Sequence, residues 1–75
     1  MRVYLRKFPE GETIALFPDE PQERGLIQSY MVVGQHGSAC PELIDELEAA
    51  TVEECAKLLA DLKTCGYTNL QIQES

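Results

Sequence analysis

The chain has 75 residues, a formal net charge of −7, three cysteines and one histidine. At this length it forms one small domain, residues 1–75, and buries only about 60% of the surface its unfolded chain exposes, which favours a shallow or shared site over a deep pocket. Residues 41–75 carry eight acids against two bases, a balance that repels a phosphate backbone and argues against direct nucleic-acid binding.

In chain order, residues 2–8 (RVYLRKF) alternate, with Val3 and Leu5 on one side and Arg2, Tyr4 and Arg6 on the other. This is the signature of a half-buried strand. Phe8-Pro9-Glu10-Gly11 reads as a tight turn, with Pro9 presetting its φ and Gly11 accepting positive φ. Residues 12–17 (ETIALF) form the return strand, apolar enough to be covered on at least one face. Pro18 ends it, because proline has no N–H for a sheet ladder. Residues 18–25 (PDEPQERG) read as a loop.

Residues 26–33 (LIQSYMVV) are rich in β-branched and aromatic types and form a third strand. Gly34 to Ser38 (GQHGS) interrupts it as an irregular turn. Pro41 opens a short helix, residues 41–49, where its missing N–H costs nothing. A loop or extended stretch is the alternative, since so short a helix needs docking.

Thr51 to Gly66 carries the strongest local signals. Thr51 and Glu54 have the T-x-x-E spacing of a capping box. Val52, Cys55, Leu58, Leu59 and Leu62 recur as one apolar stripe. Gly66 and Tyr67 suit a Schellman cap. Residues 69–73 alternate again and form an edge strand. The expected fold is α+β: an antiparallel β-meander plus a C-terminal strand, packed on one face by a short and a long helix, in the order β-β-β-α-α-β.

Residues 30–40 (YMVVGQHGSAC) hold the densest set of chemically capable side chains. Cys40 and His36 have the types of a nucleophile and its base. However, no acid is placed to orient the imidazole, and Pro41 removes one N–H from the adjoining helix start. The simpler reading is that Gln35 and His36 bond the backbone of an irregular turn. A metal site from His36, Cys40, Cys55 and Cys65 is not expected, because Cys55 and Cys65 stand roughly 15 Å apart along one helix. The run of acids from Glu42 to Glu54 lacks the central glycine of a calcium loop. No cofactor motif is present. Tyr4 and Tyr30, with Arg2 and Arg6, are placed on the outer sheet face, where tyrosine and arginine suit a protein contact.

No apolar run approaches the roughly 20 residues of a membrane span. Arg2, Arg6 and Lys7 interrupt any signal-peptide core. Free thiols and a cytoplasmic location, away from membranes, are the expectation.

The ordered set Phe17-Pro18, Ser29-Tyr30, Gly34-Gln35-His36-Gly37, Ser38-Ala39-Cys40-Pro41-Glu42-Leu43, Thr51-x-Glu53-Glu54 and Gly66-Tyr67 resembles a family of small hypothetical proteins of gut-type bacteria and their phages or integrated elements. The resemblance spans nearly the whole chain. It implies that Gln35 and His36 belong to a recurring signature and that a mobile-element origin is plausible; it implies no activity. The chain departs from that pattern with Cys55 in place of a tyrosine and Val52 in place of a proline, which speaks against Cys55 as a family-wide functional thiol.

These observations point to a non-enzymatic interaction module that binds another protein or itself, through Arg2, Tyr4, Arg6 and Tyr30 or through Gln35 and His36. The alternatives are a weak hydrolase or transferase at His36 and Cys40, and an acidic nucleic-acid mimic that inhibits a host protein.

Overall fold

Strand β1 (Arg2–Lys7) sits inside the sheet, and the chain wraps around it. A computed structural model describes residues 1–31, 35–67 and 69–73. After β1 come β2 (Thr13–Pro21), β3 (Ile27–Met31), β4 (Gln35–Ala39), α1 (Leu43–Glu46), β5 (Glu48–Ala49), α2 (Ala56–Thr64) and β6 (Gln71–Gln73). The domain is therefore a small α+β fold with a six-stranded, mostly antiparallel sheet and two helices.

The order along the sheet is β4-β3-β2-β1-β5, and β6 also pairs with β1. Tyr4 pairs with Leu16 of β2 and with Gln73 of β6, so these two strands lie on opposite edges of β1. Strand β5 takes the rest of the second edge, antiparallel to Arg6 and Lys7. Strand β6 runs parallel to Arg2–Tyr4.

The β1–β2 turn forms as its residues require. The Gly11 N–H donates to the Phe8 carbonyl at 2.9 Å, and Gly11 has φ +102°. Only glycine adopts that region without strain. Strand β2 runs past Pro18, where the sequence suggested a stop, and reaches Pro21 through a register shift beyond Phe17. Proline is tolerated in such bulged, edge-like ladder. Asp19 helps hold this tail, because its carboxylate accepts from the Arg2 backbone N–H and guanidinium at 2.7–3.3 Å.

The expected order β-β-β-α-α-β needs two additions. Residues 35–39, expected as a turn, form β4 against β3, with Gly37 opposite Ser29. The short helix spans only Leu43–Glu46, and Glu48–Ala49 then leaves it to form β5. Four residues make too few bonds for an independent helix. The second helix also starts later than expected. The Thr51–Glu54 box is present, with reciprocal bonds of 2.9 and 3.0 Å, but it closes the turn that leads into α2. Cys55, at φ −102° and ψ 13°, stands outside helical geometry and separates that turn from α2. The other end is a Schellman motif: Tyr67 N–H donates to Leu62 and Gly66 N–H to Lys63, both at 3.0 Å, with Gly66 at φ +96°.

The two helices cover opposite faces of the sheet, not one. Val3, Leu5, Ala15, Phe17 and Tyr30 pack with Cys55, Leu58 and Leu62 of the α2 layer. Ile14, Leu16 and Ile27 face the other way, against Leu43, Ile44 and Leu47 around α1. Period-two alternation along β2 feeds both cores from consecutive residues.

Leu58 is fully buried and Val52 is 53% exposed, although both fall on the same sequence-level stripe. Leu58→Ala should destabilise the fold by about 2–5 kcal/mol in urea denaturation, and Val52→Ala by less than about 0.5 kcal/mol. Equal costs would contradict this packing.

Candidate functional site

The side chains that the sequence nominated for contact are largely engaged inside the fold. Arg2 grips Asp19 through Nε and Nη2. This bidentate bond raises the Arg2 pKa and lowers that of Asp19 to about 2. Arg6 is 4% exposed. Its Nε donates to the Ile44 carbonyl at 2.7 Å and its Nη1 to the Leu5 carbonyl at 3.0 Å. Its guanidinium carbon also lies 5.1 Å from the centre of the Tyr4 ring, a cation–π distance. Arg6 thus fastens α1 to β1, and Tyr4 sits half-buried beside it.

Tyr30 is not on the Tyr4 face. It pairs with Ala15 while Leu16, the partner of Tyr4, pairs with Ser29. Tyr30 is 3% exposed in the α2 core, and its hydroxyl lies 3.9 Å from Cys65 Sγ. Burial, followed by the Cys65 contact, raises its pKa. The proposed four-residue contact face is therefore divided between two sides of the sheet. The backbones of Gln35 and His36 lie in β4, opposite Met31 and Tyr30; their side chains lie outside the described residues.

The three thiols differ. Cys55 is buried in the α2 core, and burial pushes its pKa up. This is the environment of a small core residue rather than of a nucleophile. Cys40 and Cys65 are exposed. Among the described residues, no three His, Cys, Asp or Glu side chains gather as a metal site, and no helix is long and apolar enough to cross a membrane.

The surface feature that the sequence reading passed over is a groove of about 560 Å³ between α2 and β6. Ala56, Leu59, Ala60 and Lys63 form its helix wall, and Leu70 and Ile72 face them. Tyr67 closes one end; its ring stacks on Phe17 at 5.3 Å and its hydroxyl accepts from Gln28 Nε2. Ile72 is 38% exposed. A signal for this groove was available. Ala56, Leu59, Ala60 and Lys63 recur at helical spacing, one step around from the buried Cys55, Leu58 and Leu62. The apolar part of the helix is thus wider than the sheet beneath it covers, and its outer shoulder remains on the surface.

Comparison with protein-family models, curated proteins and solved structures gives no match. The case for function rests on these surfaces.

The Arg2–Asp19 bond gives a pH test. The folded Asp19 pKa of about 2 lies below its ordinary value, so the bond stabilises the fold fully above about pH 5 and fades as pH falls from about 4 to about 2. The two side chains are 47% and 39% exposed, so solvent screens the effect. Asp19→Asn should lower Tm slightly near neutrality, and the two melting curves should converge near pH 2. A gap that widens on acidification would contradict the assignment.

Proposed function

We propose that the chain is a small, non-enzymatic protein-interaction module that works in the cytoplasm and binds through the groove between α2 and β6. The observation that carries this reading is the exposed apolar wall of that groove. Leu59 and Ile72 border it in a chain of net charge −7, where most exposed side chains are strongly hydrated. A contiguous apolar patch with a polar rim is the usual mark of a contact surface.

One further fact supports it. The groove side chains are held by a capped helix on one side and a paired strand on the other, which keeps the surface preorganised.

Leu59→Asp and Ile72→Asp place a charge on the groove while leaving Leu58 and Leu62 in place. In cells, proximity labelling from the wild-type chain should mark a reproducible neighbour set that both variants lose, with Tm lowered by only a few degrees. An identical neighbour set for wild type and variants would overturn the reading.

A further inference from the structure

We infer that the α1 side of the sheet carries a second site, a recess that binds a small, neutral, mainly apolar molecule through a hydrogen bond to the Ser29 hydroxyl. The inference goes beyond the interaction-module reading. It concerns the sheet face opposite α2 and stands without that reading.

The recess follows from the residues paired there. On this face the β3–β4 ladder sets Ile27 opposite Ala39, then Ser29 opposite Gly37. Two such small neighbours leave a gap in the face. A Cβ added at Gly37 would lie 3.7 Å from Ser29 Oγ, in ordinary contact, so the missing side chain is what opens the space. Helix α1 is four residues long and does not close it; its first residue, Leu43, forms one wall. Phe8, Ile14 and Met31 form the others. The volume is about 540 Å³, inside the range of about 300–1,000 Å³ common for small-molecule sites.

Ser29 is the feature that points to a ligand. It is 6% exposed, yet among the described residues no hydrogen bond reaches its hydroxyl. No wholly enclosed polar side-chain atom among those residues lacks a partner. The Ser29 hydroxyl therefore keeps an opening, and Ser29 lines the recess. A nearly buried hydroxyl without a partner is unfavourable, and a ligand oxygen seated there offsets that cost. Serine both donates and accepts, so the matching group is a hydroxyl or a carbonyl. Among the described residues no charged side chain lines the recess. An ionised ligand would lose hydration there without gaining a counter-charge. The Phe8 ring and the Met31 thioether suit a flat aromatic body. The ligand class is thus a single ring bearing one hydroxyl or carbonyl group.

Methyl-resolved NMR titration of the full chain with p-cresol tests this, with toluene, the same ring without the hydroxyl, as the comparison. p-Cresol should give saturable shifts at the Ile14, Met31 and Leu43 methyls with a Kd of about 1 mM or below. Ser29→Ala should weaken p-cresol about tenfold and leave toluene binding unchanged, a split that a merely structural role for Ser29 would not produce. Gly37→Val puts a strand-favouring side chain into the gap and should abolish binding of both probes. Gly37→Ala, the smaller change, should weaken both where valine proves too large for the fold. No saturable shift at the three methyls, equal p-cresol affinity in wild type and Ser29→Ala, or undiminished binding in a folded Gly37 variant would overturn the inference. These variants leave Leu59 and Ile72 in place, so the labelled neighbour set judges the interaction-module reading separately.

Discussion

Strand β1 is paired along both edges and packed on both faces at its centre, and the rest of the chain is arranged around it. Strand β2 takes one edge, while β5 and β6 share the other. Val3 and Leu5 face α2, and Tyr4 and Arg6 face the α1 side. With a buried arginine at position 6, the strand must satisfy a buried guanidinium. The carbonyls of Leu5 and Ile44 and the ring of Tyr4 do so. Removing such partners leaves a polar group unsatisfied in the interior, which is costly. That need links the first strand to α1, 38 residues later, and sets the point from which β5 returns to β1.

Where local chemistry determined the structure, the sequence was readable. The β1 alternation, the Gly11 turn, the Thr51–Glu54 box and the Gly66–Tyr67 cap each depend on residues within a few positions, and each is present. What escaped depended on distant partners. Residues 35–39 contain no apolar alternation, and they become a strand because β3 offers an edge for their backbone. Pro18 lies inside β2 because Asp19 is tied to Arg2. Ile14 to Phe17 form an unbroken apolar run, which signals burial but leaves open whether one face or two are covered. The answer came from Leu43, Ile44 and Leu47, whose short stripe occupies the second face.

The same limit governed the candidate site. Arg2, Arg6 and Tyr30 have the residue types of a binding surface, yet the fold uses them for an ion pair, a buried clamp and a core ring. Residue type signals contact without saying whether the partner is internal. The exposed shoulder of α2 was the reverse case. Alanine and leucine there look like ordinary core, and only the position of the sheet reveals that Cys55, Leu58 and Leu62 satisfy the core while Leu59 borders an open groove. The acidic α1 segment lies on the far face, and the apolar wall of that groove carries the functional argument.

Methyl–methyl NOE measurement on the folded chain tests the two-faced arrangement most directly. The account predicts cross-peaks from Leu58 and Leu62 to Val3 and Leu5, and from Leu43 and Ile44 to the Ile14, Leu16 and Ile27 set. Cross-peaks joining Ile44 to Leu58, Leu62 or Val3 would place both helices on one side of the sheet and contradict it.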